Sequence, residues 1–268
     1  MTIAPLVAAA TCLIVTPFLK RIRPRGSMPP RIGGVGVLLA LLAGVFLSPL
    51  ISVGDTEGTK LVPYWAGLAV VFGMGLADDF LVLSPKVKLL FQILGAGVFL
   101  SFFPFTWWTP VFFIWLVGVT NSLNLLDNMD GLTPGVGAVA ALFFYLLSPS
   151  APLAALGGAL AAFLLFNFHP ARVYLGDAGS HLVGFTLAAL PLLGDQWRLA
   201  PLVLLVPIVD TAFVTVTRLA RGVSPFKGGK DHISHRLHRV GLPVRLVVLI
   251  FYGATAVLGT LAWLVGGR

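Results

Sequence analysis

Charge is what this sequence has least of. Only 10% of its 268 residues are Asp, Glu, Lys or Arg, against about one quarter in an average soluble domain. A chain with so few polar groups cannot cover a water-facing surface, which excludes a soluble globule. Hydrophobic residues make up 57% of it and the mean hydropathy is +0.96, so lipid must be the solvent for much of its length. Cysteine is almost absent: Cys12 stands alone in an apolar stretch, forms no internal disulfide and is silent about redox compartment. There is no solenoid-type repeat and no low-complexity tract. A cleaved signal peptide is not expected, because the basic residues Lys20, Arg21, Arg23 and Arg25 follow the first apolar run instead of preceding it, and no small-residue cleavage site comes after. That run reads as a first membrane span with its N-terminus outside.

What the sequence does have is apolar runs, at 2–19, 34–51, 61–77, 88–104, 107–123, 134–148, 151–168, 181–194, 199–219 and 244–265. A bilayer core of ~30 Å takes roughly 20 residues of helix. The expectation is an all-α integral membrane protein of about ten transmembrane helices, forming one polytopic domain over 1–268. The runs 134–148 and 151–168 are split only by Pro149 and Pro152. Together they are too long for one crossing, so a tight turn is expected there in place of a kinked helix.

The net charge of +8 reads as topogenic and does not indicate nucleic-acid binding. With ten spans and an outside N-terminus, fifteen of the eighteen cations fall on the inner side, and only Lys60, Arg198 and Arg268 fall outside. Cytoplasmic loops carry such an excess, so the inner side is taken as the cytoplasm.

Five segments carry candidate chemistry, and this topology puts all of them on the inner face. Asp78-Asp79 ends the third run; adjacent carboxylates at a membrane boundary need a metal, a cation or a proton to offset them, unless they are a solvated helix end. Lys86 and Lys88 follow as partners or phosphate ligands. Asn121, Asn124 and Asp127 recur at i, i+3, i+6, one face of a helix, with Asp130 continuing the row. Such a stripe suits a hard cation or a nucleotide; the plain alternative is a polar cap. Gly176-Asp177-Ala178-Gly179-Ser180 precedes the eighth run, where glycine admits close approach and a helix N-terminus attracts phosphate. Residues 227–239 hold His232, His235 and His238 among Lys227, Lys230, Arg236 and Arg239, groups suited to phosphate or proton transfer. Residues 25–34 include Arg25, Arg31 and Gly33-Gly34, read equally as packing or as a turn near a ligand. Asp210 sits inside the ninth run, where a carboxylate faces a cavity or a partner, and Arg218 lies two turns along the same face. His169 and His181 read as boundary hydrogen-bonding groups.

In order and separation these segments resemble the polyprenyl-phosphate N-acetylhexosamine-1-phosphate transferase superfamily. The resemblance rests on Ala77-Asp78-Asp79, on Asn121-x-x-Asn124-x-x-Asp127-x-x-Asp130-Gly131, on Gly176-Asp177-x-Gly179-Ser180 and on the histidine segment, and runs from Arg21 to Leu242. It implies transfer of a sugar-1-phosphate from a UDP-sugar to undecaprenyl phosphate, with Mg2+ or Mn2+, at the bacterial cytoplasmic membrane, and allows a homodimer. It further implies Asp177 and Asn124 at the metal. Asp78, Asp79, His232 and His235 would be catalytic. Asp127, Asp130, Asn121, Lys88, Arg236, Gly176 and Ser180 would bind substrate.

Relatives often read His-x-His-His where this chain has His232-Ile233-Ser234-His235. That departure points away from the peptidoglycan branch, whose members transfer phospho-MurNAc-pentapeptide. It points toward the branch that starts teichoic-acid, O-antigen or similar glycans with GlcNAc-1-phosphate. The chain also looks one span shorter at its C-terminus than many relatives. A secondary transporter would show two repeated halves with polar groups at mid-membrane, whereas only Asp210 is clearly deep. A CDP-alcohol phosphotransferase would show a dense Asp-Gly, Ala-Arg helix pair, which this chain lacks.

Overall fold

The computed structural model describes residues 3–19, 21, 29–51, 61–224 and 229–266. The segment Arg25–Met28 and the pair Lys227 and Gly228, named above among the candidate loops, lie outside the described residues. Among the described residues twelve α-helices follow one another: α1 Ala4–Leu19, α2 Gly33–Ile51, α3 Val62–Leu81, α4 Pro85–Leu100, α5 Thr109–Leu126, α6 Leu132–Leu147, α7 Ala151–Asn167, α8 Gly176–Ala189, α9 Ala200–Val203, α10 Leu205–Ala220, α11 Ile233–Arg239 and α12 Val244–Gly266. No strand occurs among the described residues. Of these, α3, α5 and α12 are long and apolar enough, within the described residues, to cross a bilayer by length and composition.

Each apolar run is helical, and the departures fall at proline. The turn between α6 and α7 closes within Ser148–Ser150, with Pro152 in the first turn of α7, as the two-helix reading expected. The run 199–219 is not one helix: it breaks at Leu204, between Pro201 and Pro207, into α9 and α10. The run 181–194 ends as α8 at Ala189 and continues as a 3-10 turn through Pro191. At its other end α8 begins at Gly176, five residues ahead of the run, so Asp177 and Ser180 belong to its first turns and not to a loop before it. The histidine segment also departs from a plain loop, since Ile233–Arg239 winds into α11.

The central element is α8. Every residue from Ala178 to Ala189 is buried, and α3, α5, α2, α6 and α7 all pack on it. A helix covered on all sides carries no polar face, so the three polar side chains of this buried stretch must be satisfied internally. Thr186 Oγ1 meets Tyr64 Oη at 3.0 Å. His181 donates from Nδ1 to the Asp177 carbonyl at 2.7 Å and accepts from Gln92 at Nε2 at 3.0 Å. Ser180 bonds to α5, as described below. The crossing of α2 on α8 is backbone against backbone: a Cβ on Gly34 would stand 2.3 Å from the Gly179 nitrogen. That answers the Gly33-Gly34 question as packing. It also locks the entry of α8, because Gly33 N and Gly34 N donate to the carbonyls of Tyr174 and Leu175 at 3.0 and 2.8 Å.

Candidate active site

The first turn of α8 presents Asp177 at the centre of one end of the bundle. Gly176 makes this possible: its φ is +76°, and a Cβ there would strike the Arg31 carbonyl at 2.3 Å and the Asp79 carboxylate at 2.7 Å. The helix has no side-chain cap of its own. Asp79, from the last turn of α3, supplies one, accepting from Asp177 N at 2.7 Å and Ala178 N at 3.1 Å. Both its oxygens are thus occupied by orphan helix donors.

Asp78 is buried and also fully engaged. One oxygen accepts from the backbone of Leu83. The other meets Lys88 Nζ at 2.5 Å. The turn so fixed holds Val82 at φ 55°, a left-handed conformation that a β-branched residue keeps only when its surroundings impose it. Lys88 then reaches on to Asp177 Oδ1 at 2.7 Å, joining α3, α4 and α8 through one ammonium. Neither Asp78 nor Asp79 lines the cavity described next.

On the α5 side, Asn124 Nδ2 donates to Asp177 Oδ1 and to Ser180 Oγ, both at 2.9 Å. Its carbonyl oxygen is left for a ligand. Ser180, expected from the sequence at the substrate, is fully buried, accepts from Asn124 and does not line the cavity described next. The expected stripe is interrupted. Asn121 and Asn124 share the α5 face, but α5 ends at Leu126, and Asp127 and Asp130 belong to the turn that follows. Asp130 faces the α7–α8 connection, where its Oδ2 accepts from His169 Nδ1 at 2.9 Å and Ala171 N at 3.0 Å.

A cavity of about 480 Å³ opens here, lined by Lys88, Asn124, Asp127, Asp130 and Asp177 together with Arg31, Asn128, Asn167, Tyr174 and neighbouring backbone. Asn121, one turn back, does not line it. Burial, reinforced by Asp177, Asp79 and Asp130, pushes the Asp127 carboxyl up to about 8. Three carboxyl groups, Asp127, Asp130 and Asp177, thus share a wall whose cations are Lys88 and Arg31, and the raised Asp127 marks a crowding of carboxyls that a bound cation would relieve. Among the described residues no three Asp, Glu, His or Cys side chains form a ready cage. Mg2+ needs none, since it takes one or two carboxylates and completes its shell with water and phosphate oxygens. Asp177, the free oxygen of Asn124 and nearby Asp127 fit that requirement.

The histidine helix docks beside this cavity. Ser234, fully buried, donates to Asn128 Oδ1 at 2.7 Å, and Asn128 is part of the cavity wall. Asp210 anchors the start of α11, accepting from His232 Nδ1 at 2.7 Å and Ile233 N at 2.8 Å. Arg236 stacks on Phe213, 4.6 Å from the ring centroid, and donates to the Asp231 carbonyl at 3.2 Å. Neither His232, His235 nor Arg236 lines the cavity. Arg218 pairs with Asp231 at 3.0 Å and not with Asp210, and it holds that carboxyl below the ordinary aspartate range.

Three residues of this region escaped the sequence reading. Asn167, at the end of an apolar run, accepts from Gly131 N at 3.0 Å and donates to the Val173 carbonyl at 2.8 Å. Tyr252 donates to the Gly131 carbonyl at 2.5 Å. Gln92 supports His181. A lone amide inside or closing an apolar run was the available signal for Asn167 and Gln92; nothing local marked Tyr252.

The sequence profile described as Glycosyl transferase family 4 matches residues 61–195. A Bacillus subtilis protein named "Probable undecaprenyl-phosphate N-acetylglucosaminyl 1-phosphate transferase" is 31% identical over 94% of this chain and 81% of its own length. The Mycobacterium tuberculosis decaprenyl-phosphate N-acetylglucosaminephosphotransferase is 30% identical over 83% and 69% of the two lengths. The phospho-N-acetylmuramoyl-pentapeptide-transferase of Deinococcus radiodurans is 32% identical over 89% and 86%. An all-helical chain with these motifs in order, matched along most of its length by such relatives, belongs to glycosyl transferase family 4, on the undecaprenyl-phosphate GlcNAc-1-phosphate transferase-like branch of the polyprenyl-phosphate N-acetylhexosamine-1-phosphate transferases.

Proposed function

We propose that this multi-pass membrane protein transfers GlcNAc-1-phosphate from UDP-GlcNAc to undecaprenyl phosphate on the cytoplasmic side of the bacterial cytoplasmic membrane. This would be the first membrane step of a surface glycan such as teichoic acid or O-antigen. The observation that carries the reading is the convergence of Lys88, Asn124 and Asp127 on Asp177 around one cavity. It is supported by the activities for which the B. subtilis and M. tuberculosis relatives are named.

In the transfer, an oxygen of the lipid phosphate forms a bond to the β-phosphorus of the UDP-sugar. The bond from that phosphorus to the bridging oxygen breaks, and the electron pair leaves with UMP. Asp177 and Asn124 would hold Mg2+ or Mn2+, whose contribution is to offset charge on the pyrophosphate oxygens. Lys88, aimed by Asp78, offers its ammonium to the same phosphates. A phosphate monoester has a second pKa of about 6 and is largely dianionic at neutral pH. The acceptor therefore needs no strong base, which suits Asp78 and Asp79 to holding Lys88 and α8 in place and favours a single displacement. His232, His235 and Arg236, which stand beside the cavity and outside its wall, would reach the phosphates from α11. Asp127 and Asp130 shape the donor pocket.

The match to the D. radiodurans enzyme keeps a second donor, UDP-MurNAc-pentapeptide, in the same test. Purified protein with Mg2+, undecaprenyl phosphate and a panel of UDP-sugars should release UMP with UDP-GlcNAc and yield a chloroform-soluble sugar. Asp177→Asn should lower that rate by more than about 100-fold. Release of UMP from no donor would sink the transferase reading, and wild-type turnover by Asp177→Asn would remove the residue from the metal.

A further inference from the structure

Asp210 has no part in the cavity wall, yet it is 1% exposed and lies within α10, an apolar helix where an idle carboxylate would be costly. Both its oxygens are spent on the histidine helix. Oδ1 accepts from Ile233 N at 2.8 Å, replacing the cap that α11 lacks, and Oδ2 meets His232 Nδ1 at 2.7 Å. A carboxylate only accepts hydrogen bonds, so the imidazole must carry a proton on Nδ1. We infer that Asp210 is a positioning residue for the transfer: it fixes His232 with its proton on Nδ1 and leaves Nε2 as the nitrogen that meets the reacting phosphates. This rests on the reading above, in which α11 supplies contacts to the phosphates.

The plain alternative is that Asp210 merely pins α11 to the bundle. A second anchor of α11 separates the two ideas. Ser234 ties the same helix to Asn128 at 2.7 Å through a hydrogen bond that involves neither histidine ring. Loss of that bond loosens α11 but leaves the His232 proton where it is. Asp210→Asn does the reverse. An asparagine oxygen still accepts from Ile233, while its amide nitrogen cannot accept from Nδ1–H, so the imidazole moves its proton to Nε2 and accepts at Nδ1. The helix stays docked and the wrong nitrogen is presented, an exchange that cripples a histidine engaged in proton or phosphate chemistry.

The tautomer is readable directly. Solid-state 15N spectra of histidine-labelled protein in lipid, with His232 assigned by its loss in His232→Gln, should show Nδ1 protonated in the wild type and Nε2 protonated in Asp210→Asn. Asp210→Asn should lower kcat by about 100-fold or more with little change in KM for the UDP-sugar. Ser234→Ala should lower kcat by less than about tenfold and leave the His232 spectrum unchanged. A wild-type His232 protonated only on Nε2 overturns the inference, and that measurement needs no variant to fold. Equal losses of activity and melting temperature in Asp210→Asn and Ser234→Ala, with the His232 spectrum unmoved, overturn it too. Absence of UMP release by wild-type protein would instead strike the transferase reading and leave the tautomer result standing.

Discussion

His235 and His238 lie one turn apart on α11, yet their surroundings differ. His235 is half-buried, with its ring centroid 6.3 Å from that of His232. Burial, and then the neighbouring His232 and Lys230, hold it below the ordinary histidine range. His238 is exposed and turned to the carbonyl of Leu242 at 2.9 Å. At pH 7 His235 is therefore a neutral imidazole. Its contribution to stability is complete above its ordinary value of 6.5 and is lost as pH falls through the lowered folded value. His235→Ala should cost about tenfold or more in kcat, and His238→Ala should cost less; UMP release by the two purified variants checks the order. The reverse order would move the phosphate contact one turn along α11. Ser234 is a matching case. The residue type showed only that a histidine is missing from the commoner pattern, whereas the structure gives it a definite task in registering α11 against Asn128.

Two helices owe their starts to carboxylates from other helices. Asp79 caps α8 and Asp210 caps α11, and neither cap is visible as a local capping signature because its residue lies far away in sequence. Helix N-caps are worth about 0.5–2 kcal/mol. Asp79→Ala should thus lower the melting temperature of the purified protein as well as its activity, since α8 carries Asp177. Lost turnover with an unchanged melting temperature would assign Asp79 to the chemistry alone. The same reasoning explains the error over Asp127 and Asp130. A spacing of three reads as one helix face, but α5 stops at Leu126, and the next turn is held by Asn167 and Tyr252, contributed by α7 and α12. No pattern local to 121–131 could announce partners that distant.

Across the whole molecule the acidic and histidine segments gather at one end of the bundle. Around the α4–α5 connection Trp107 packs on Trp108, and Trp108 and Phe112 pack on Trp197, an aromatic cluster of the kind that sits at a bilayer interface. If charge asymmetry sets the topology, the α4–α5 connection faces outward and the α11–α12 turn faces the cytoplasm. Cys12 is the protein's single cysteine, so a Cys12→Ser background gives a clean reporter. In intact cells a membrane-impermeant maleimide should label Thr106→Cys and spare Val240→Cys, both exposed positions. Labelling of Val240→Cys without permeabilisation would invert the assignment.

Composition alone required lipid as solvent, because 10% charge cannot clothe a soluble surface. The apolar runs set the helices, and residue types in order set the family. Those properties depend on what the residues are. Which polar side chains reach the cavity depended on where helices cross. Gly34 against Gly179, Gly176 at positive φ and the Asp79 cap together aim Asp177 inward, while Ser180 and Asp78 are turned to support. Only the tertiary structure decides such matters, since each orphaned donor takes whichever acceptor the packing brings within hydrogen-bond reach.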